Sequence, residues 1–294
     1  MFGNRYCSII GVLGLIVLGL NSAAAQDLLW QNDKIEVIPF QLKRGYPYID
    51  IKIGEKKYNL IVDLTDYREI TLATDVLENI PHTVTGSDKY IGPEKKVFHL
   101  KQFTLDQVAL GGLKKQHIKG TEEVIDPNYP TSSPNGAIGA GMFFDDVLTL
   151  DFHNSQFIVN PKGKLDRCEP LAVMGLPLVT LARLEGKNLT FLIDNASQYS
   201  VIDENIAQSL SKTQPDNNKT LEILLADLHL DNFDIKNIPF YPLSMAGTGL
   251  HGVIGMDVLR RYNLAIDFKN NCYNLPLAQE KMTNPLPLRI PEFR

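Results

Sequence analysis

The stretch that decides the fold is HGVIGMDVLRRYNLAIDFKNNCYNL, residues 251–275, because the chain contains a second copy of its pattern. The other copy, NGAIGAGMFFDDVLTLDFHNSQFIV, covers residues 135–159 and aligns with the first without a gap. Gly139 matches Gly255, and both copies continue to an Asp-Phe pair at the same place. Each copy therefore predicts a short apolar strand ending at glycine, a helical turn, and a strand that enters a hairpin. Such a repeat indicates two similar structural units.

The doubling continues upstream, where two further segments each end in an aspartate. YIDIKIGEKKYNLIVD (48–63) and LVTLARLEGKNLTFLID (178–194) each predict two strands joined by a glycine-containing turn. Their last residues, Asp63 and Asp194, are therefore counterparts. A lone carboxylate at the end of a buried strand is costly, because burial disfavours its charged form. Two of them at equivalent places indicate a shared role, and a polar residue that closes each strand in a turn is the alternative.

The complete pattern of each unit resembles the lobe of an aspartic protease. Apolar residues lead into an aspartate, a polar loop follows, and an apolar-apolar-glycine strand and a closing strand with Asp-Phe complete the unit. The resemblance spans residues 35–277 and is to two-lobed, single-chain relatives of pepsin and the retroviral proteases. It implies an all-β fold, mainly strands with short helices, in which two similar lobes have a cleft between them. We place the N-terminal lobe at residues 26–165 and the C-terminal lobe at residues 166–294.

The resemblance also implies a catalytic site made by one aspartate from each lobe, here Asp63 and Asp194. Two carboxylates within hydrogen-bonding reach share one proton, so one acts as a base toward water and the other as an acid toward the peptide carbonyl. The implied activity is that of an aspartic endopeptidase, a hydrolase that acts on polypeptides without a cofactor. A substrate bound as an added strand would pair with a hairpin flap. Tyr90 is the candidate flap residue, and an exposed loop tyrosine is the alternative.

Both catalytic loops depart from the Asp-Thr-Gly or Asp-Ser-Gly signature of that family. After their aspartates, the first loop carries Leu64 and Thr65, and the second carries Asn195 and Ala196. In the family, the first of these positions has a hydroxyl group that hydrogen-bonds across the lobe interface, which Leu64 cannot do and Asn195 could do in altered geometry. Thr65 and Ala196 add side chains where glycine normally lets the backbone approach the carboxylate.

These departures leave a second function open. A relative without catalytic activity would keep the cleft as a peptide-binding or inhibitory module, and a secreted all-β binding protein unrelated to proteases is a third reading. In the peptidase interpretation, Ser197 and Ser200 support the second catalytic loop.

The first catalytic loop carries three charged residues, Asp66, Arg68 and Glu69. An additional carboxylate beside Asp63 would disturb its titration, because like charges disfavour ionisation. Arg68 could neutralise that effect.

Residues 1–25 have the features of a secretory signal peptide. A basic residue precedes an apolar run from Cys7 to Leu20, and Ala23 and Ala25 form a small-residue cleavage site, so the mature chain is predicted to begin at Gln26. The run is too short for a membrane-spanning helix, and a retained N-terminal anchor is the alternative. We therefore expect an exported protein, periplasmic or secreted, with no integral membrane span after processing.

The remaining composition restricts the partners. The net charge is −5 and the basic residues are not clustered, so nucleic acid is not an expected partner. The six histidines lack the spacing of metal ligands, so no metal site is expected. Cys168 and Cys272 could form a disulfide in an oxidising compartment or remain two buried thiols. Because both lobes belong to one chain, we expect a monomer.

Overall fold

The computed structural model describes residues 34–91, 97–123, 135–166, 168–172, 178–210 and 223–276. The predicted signal peptide, residues 1–25, lies outside these ranges. Within them, the chain consists mainly of β-strands with a few short helices, and the strands form two barrel-like sheets. The prediction of an all-β fold with two lobes is confirmed.

Ten strands and two helical turns form the first half of the described chain. The strands are β1 (Glu36–Lys43), β2 (Tyr46–Ile53), β3 (Lys56–Asp63), β4 (Ile70–Ala73), β5 (Thr83–Ile91), β6 (Val97–Leu110), β7 (Leu113–Glu123), β8 (Gly136–Gly139), β9 (Asp146–Asp151) and β10 (Gln156–Pro161). The helical turns are α1 (Thr74–Leu77) and a 3₁₀ turn (Ala140–Phe143). Along β2, Ile51 and Ile53 are buried while Asp50 and Lys52 are exposed. This alternation places one face of the sheet against the core.

Nine strands and two helices form the second half. The strands are β11 (Glu169–Pro170), β12 (Val179–Leu184), β13 (Lys187–Ile193), β14 (Val201–Asp203), β15 (Leu224–His229), β16 (Asp234–Leu243), β17 (Gly252–Ile254), β18 (Leu264–Asp267) and β19 (Cys272–Asn274). The helices are α2 (Glu204–Leu210) and α3 (Met256–Leu259). None of the helices in the described ranges has the length and apolar character needed to cross a membrane.

The same interlocked arrangement of strands occurs in both halves. In the first half, β8 lies between β3 and β4, parallel to β3 and antiparallel to β4. In the second half, β17 lies between β13 and β14 with the same directions. β4 then pairs in parallel with β7, and β14 pairs in parallel with β16. The repeat read from the sequence is therefore a repeat of structure.

The two halves are joined through a shared sheet. Six strands of the second half close into a barrel in the order β12-β13-β17-β14-β16-β15. The first-half strands belong to a 13-stranded sheet that also includes β11, β18 and β19. β18 pairs with β9, with Leu264 opposite Leu150, so the end of the described chain returns to the sheet of the first lobe. The lobe boundary at residues 165 and 166 stays a prediction.

The hairpins that follow the two Asp-Phe pairs have matching polar contacts. Asp151 accepts hydrogen bonds from the backbone N–H and the side-chain amide of Asn154 at 2.9 and 2.7 Å. Asp267 accepts the same two bonds from Asn270 at 3.0 and 2.8 Å. Such bonds from a turn to an aspartate stabilise the turn, so these two carboxylates have a structural role.

A disulfide joins Cys168 and Cys272, whose Cα atoms lie 5.5 Å apart. Cys272 begins β19, which pairs with β11 immediately after Cys168 in sequence. Of the two alternatives that the sequence left open, the structure therefore shows the bonded form.

Candidate active site

The two predicted catalytic aspartates lie at the same point of the repeated strand arrangement. Asp63 is the last residue of β3 and stands opposite Gly139 of β8. Asp194 directly follows β13, and its backbone N–H donates to the carbonyl oxygen of Ile254 in β17 at 2.9 Å. Both residues are half-buried. The fold thus places one carboxyl group from each lobe at corresponding ends of buried strands.

Gly139 and Gly255 are required because the loops after Asp63 and Asp194, which are predicted to be catalytic and are called the catalytic loops below, pass directly against them. A Cβ atom at Gly139 would lie 2.2 Å from the carbonyl oxygen of Arg68. A Cβ atom at Gly255 would lie 2.5 Å from the carbonyl oxygen of Tyr199. Real Cβ atoms do not approach backbone atoms so closely, so any other residue would displace the loop that carries the aspartate.

Asn195 connects the two catalytic loops across the lobe interface. Its side-chain oxygen accepts a hydrogen bond from the backbone N–H of Leu64 at 3.0 Å, and its side-chain nitrogen donates to the carbonyl oxygen of Val62 at 2.5 Å. Asn195 is 0 % exposed, so both bonds are shielded from water. Leu64 is also fully buried, and its side chain belongs to the apolar core. The sequence indicated that the side chain of Asn195 could hydrogen-bond across the lobe interface and that the side chain of Leu64 could not. The structure shows this bond from Asn195.

The residues at the third position of each loop bind the carboxylates. Thr65 donates its backbone N–H to Asp63 Oδ1 at 3.0 Å and its hydroxyl to the same oxygen at 2.6 Å. Ala196 donates its backbone N–H to Asp194 Oδ1 at 2.8 Å. The side chains that replace glycine therefore leave the backbone contact intact, and Thr65 adds a second hydrogen bond.

Burial and neighbouring charge raise the pKa of both aspartates. The pKa of Asp194 rises to about 7, first because burial disfavours its charged form and then because the charge of Asp63 is near. Burial also raises the pKa of Asp63; the Thr65 hydroxyl opposes this rise, and the Asp66 carboxylate adds to it. Two interacting acids lose their protons in sequence, so the pair retains one proton over part of the acidic and neutral range.

Ser197 and Ser200 shape the second catalytic loop. The Ser200 hydroxyl donates to Asp257 Oδ1 at 2.7 Å and accepts the backbone N–H of Gly255 at 3.0 Å. The Ser197 hydroxyl donates to the carbonyl oxygen of Tyr199 at 3.0 Å. The Ser200 bonds hold the loop against the residues that follow β17, whereas the Ser197 bond lies within the loop. Their role in supporting catalysis stays a prediction.

The first catalytic loop carries charged residues at the positions that Ser197, Tyr199 and Ser200 occupy in the second loop. Arg68 Nε donates to both carboxylate oxygens of Asp66 at 2.8 and 3.0 Å. Glu69 turns toward β7, where it accepts the backbone N–H of Lys119 at 2.5 Å and lies 3.7 Å from Lys115 Nζ. Arg68 thus pairs with Asp66, the loop acid whose charge acts on Asp63.

Two residues near the aspartates were missed by sequence reasoning. Glu123 is the last residue of β7 and accepts a hydrogen bond from the Thr71 hydroxyl at 3.3 Å. Tyr46 is 4 % exposed, and burial together with the charge of Asp194 raises its pKa to about 12. Glu123 is distant from Asp63 in sequence and Tyr46 is distant from Asp194, so only the fold brings them near. Within the described ranges, no group of His, Cys, Asp or Glu side chains is arranged to hold a metal ion.

Small apolar clusters flank the aspartates on the sheet faces that carry them. Ile61 precedes Asp63 by two residues and Leu192 precedes Asp194 by two, so each pair of side chains points to one face. The first cluster consists of Tyr46, Tyr48, Ile61 and Ala137. The second consists of Val201, Tyr241, Met245 and Val253, with Leu192, Tyr199 and Leu250 packed against it. The strands that lead into the two aspartates therefore each contribute a side chain to an apolar cluster.

The region predicted as a flap forms a long hairpin. β5 pairs with β6 from Thr83 opposite Thr104 to Ile91 opposite Val97. Tyr90 lies in β5 opposite Phe98, near the end of the hairpin, and the placement of its side chain lies outside the described part of the structure. The role of Tyr90 as a flap residue stays a prediction.

Comparison with known proteins defines the fold. No protein-family model matches the sequence, and no curated protein matches it. The crystal structure of an aspartic proteinase from Irpex lacteus matches with a TM-score of 0.57, over 83% of this chain and 97% of that chain. The two sequences are 12% identical, so the likeness shows the fold alone. The protein therefore has the two-lobed β fold of pepsin-like aspartic proteinases, and its activity has to be argued from the site.

Proposed function

We propose that this protein is an exported aspartic endopeptidase that hydrolyses peptide bonds with Asp63 and Asp194. The observation that carries the proposal is the effect of one carboxyl group on its counterpart in the opposite lobe. The pKa of Asp194 reaches about 7, and the charge of Asp63 is one of its two causes. Asn195 fixes the two loops to each other. Strongly perturbed, interacting carboxyl groups are typical of catalytic sites.

The chemistry uses the single proton that the pair retains. The ionised carboxylate accepts a proton from a water molecule, whose oxygen attacks the carbonyl carbon of the peptide bond. The protonated carboxyl group gives its proton to the carbonyl oxygen, which yields a tetrahedral diol. The carbon–nitrogen bond then breaks as the nitrogen takes a proton from the first carboxyl group. The second carboxylate recovers its proton from the diol, so the pair returns to its initial state.

A cavity beside the first catalytic loop supports the proposal that the substrate is a polypeptide. Its volume is about 540 Å³, and loop residues 67–69 form one wall. Phe103 and Phe144 contribute aromatic surface, and Lys119 is among the polar lining residues. Aromatic and polar side chains together line this cavity, which fits a large side chain of a bound chain, and neither Asp63 nor Asp194 is among the lining residues. The β5–β6 hairpin offers backbone groups with which an extended peptide can pair.

Export and the monomeric state complete the proposal. Export rests on the signal-peptide features of residues 1–25. The Cys168–Cys272 disulfide is consistent with an oxidising compartment, periplasmic or extracellular. Since one chain supplies both carboxyl groups, a monomer contains the whole site.

The direct test is cleavage of an unfolded protein by purified residues 26–294, scanned from about pH 3 to pH 8. Asp63→Asn and Asp194→Asn each remove one carboxyl group with little change of shape. Asp106→Asn, at an exposed position of β6, is the matched control. We expect cleavage by the parent and the control and none by the two site variants, with all four proteins folded by circular dichroism.

A folded parent that cleaves nothing in this pH range contradicts the peptidase proposal. Binding of a labelled unfolded peptide by that parent would then support the alternative of a catalytically inactive peptide-binding or inhibitory module. The feature that favours this alternative is the replacement of glycine and hydroxyl-bearing residues in both catalytic loops by Leu64, Thr65, Asn195 and Ala196.

A further inference from the structure

The loop after Asp63 carries charged side chains at positions where the loop after Asp194 carries uncharged ones. Asp66 and Arg68 follow Asp63 by three and five residues. The residues at the same distances from Asp194 are Ser197 and Tyr199, which are uncharged at neutral pH. Two similar lobes therefore present different electrostatic environments to the two halves of one site.

Arg68 is fixed on the loop that follows Asp63 by several contacts. Its guanidinium Nε bonds to both oxygens of Asp66, and its backbone N–H donates to Asp66 Oδ1 at 3.0 Å. The carbonyl oxygen of Asp66 accepts the N–H of Ala140 at 2.7 Å, and that of Arg68 accepts the N–H of Gly141 at 3.1 Å. The ion pair thus sits on a loop that is bound to the segment directly after Gly139, the residue opposite Asp63.

Glu123 approaches the same place from a different strand. The Thr71 hydroxyl donates to Glu123 Oε2 at 3.3 Å and accepts the backbone N–H of Ala137 at 3.2 Å. Ala137 belongs to β8 and stands opposite Ile61, two residues before Asp63. Burial raises the pKa of Glu123, the Thr71 hydroxyl and Arg68 lower it, and the nearby acids raise it again.

We propose that Arg68 is a positioning residue that sets the pH range of the catalytic pair, by balancing the charges of Asp66 and Glu123 beside Asp63. The inference rests on the proposed peptidase function. The charge of Asp66 acts on Asp63, and the charge of Asp63 acts on Glu123 of β7 and on Asp194 of the second lobe. Arg68 interacts with Asp66 and Glu123. Arg68 is the cation of this set, so its removal leaves an uncompensated excess of negative charge.

The sign of each effect follows from Coulomb interactions. Arg68→Met removes a positive charge, so carboxyl groups nearby retain their protons to higher pH, and the pH profile of cleavage should move up by about half a unit to one unit. Glu123→Gln removes a negative charge and should move the profile down by a similar amount. Arg68→Lys keeps the charge and should keep the parent profile.

A double variant separates charge from loop structure. Arg68→Met combined with Asp66→Asn removes both partners of the ion pair and leaves the net charge unchanged. An electrostatic role predicts that the pH profile returns to that of the parent. A purely structural role predicts that the double variant behaves like Arg68→Met, because the bonds between the two side chains are absent from both.

The measurements are the pH profile of kcat/KM on one peptide and the titration of the aspartate carboxyl carbons by NMR spectroscopy. The NMR titration needs no activity, so the two proposals can fail separately. A parent without cleavage contradicts the peptidase proposal. Carboxyl titration midpoints that do not move in Arg68→Met contradict this inference. Shifts of Arg68→Met and Glu123→Gln in the same direction also overturn it. If Arg68→Met does not fold, Asp66→Asn and Glu123→Gln must each lower the midpoints, and unchanged midpoints contradict the inference.

Discussion

Asn195 and Leu64 occupy equivalent positions of the two catalytic loops, and the Asn195 side chain makes both hydrogen bonds that join the loops. It accepts from the backbone N–H of Leu64 and donates to the carbonyl oxygen of Val62. The Leu64 side chain lies in the apolar core. The two lobes therefore contribute unequally: the second supplies a side chain and the first supplies backbone atoms. This one amide group therefore links the loops that carry Asp63 and Asp194, in addition to the pairing of β18 with β9.

Asn195→Ala should destabilise the lobe interface and abolish cleavage. The substitution leaves the N–H of Leu64 and the carbonyl of Val62 buried without partners, which costs roughly 2–5 kcal/mol of the free energy of unfolding. Urea unfolding measures the loss. Asn205→Ala, at an exposed position, is the control and should change stability by less than about 0.5 kcal/mol. Equal stability of parent and Asn195→Ala would show that these bonds contribute nothing.

The free energy of unfolding should fall as the pH rises from about 4 to about 7. The pKa of Asp194 is about 7 in the folded protein, whereas its ordinary value, expected in the unfolded chain, is 3.8. The folded state therefore binds more protons than the unfolded state in this pH window. The stabilisation is complete below about pH 4 and is lost as the pH passes through about 7. The asparagine in the Asp194→Asn variant is neutral at every pH, so the variant loses the contribution of Asp194 to this dependence, which amounts to a few kcal/mol at most. Identical pH dependence in parent and variant would assign the effect to another group.

Thr65→Val should shift the acidic side of the activity profile to higher pH. The Thr65 hydroxyl donates to Asp63 Oδ1 at 2.6 Å and lowers the pKa of that carboxyl group, so its loss raises the pKa. Valine keeps the branched shape, and Thr65→Ser keeps the hydroxyl and serves as the control. We expect a shift of about one pH unit in Thr65→Val and little change in Thr65→Ser. Coincident profiles of the parent and both variants would contradict the role of the Thr65 hydroxyl in lowering the pKa of Asp63.

Gly255→Ala should destabilise the protein by at least about 2 kcal/mol, because the added methyl group meets the backbone of the catalytic loop. Its Cβ would lie 2.5 Å from atoms of Tyr199. Gly54 provides the contrast, since it has a φ of 59° in a turn with open space around its Cβ position. Gly54→Asn should be tolerated, because asparagine adopts this conformation more readily than most residues. Thermal unfolding of both variants compares them, and similar melting temperatures would contradict the steric argument.

The sequence revealed those parts of the site that depend on local pattern. Asp63 and Asp194 each end an apolar run, and Gly139 and Gly255 each stand at the end of the short apolar strand of one repeat copy. Alignment of the chain with itself was therefore sufficient to find all four residues. The bridging role of Asn195 followed from its position after the aspartate. Local pattern also predicted the paired strands, whereas the hairpin around Tyr90 was implied by the resemblance to aspartic proteases.

Other features depend on which strands pair, and the sequence does not encode that locally. Glu123 lies near Asp63 because β7 is parallel to β4, and Tyr46 lies near Asp194 because the two lobes meet. The return of β18 to the sheet of the first lobe is equally non-local. The disulfide could be named only as one of two alternatives, because its formation depends on how closely the fold brings Cys168 and Cys272 together.

The Cys168–Cys272 bond closes a covalent ring, since the two residues are 104 positions apart. All six strands of the closed barrel, and Asp194 with them, lie inside that ring. A single break of the polypeptide within the ring leaves two fragments that stay covalently attached. If the protein cleaves its own second lobe, the nicked molecule remains in one piece, and its fragments separate only after a reductant opens the disulfide.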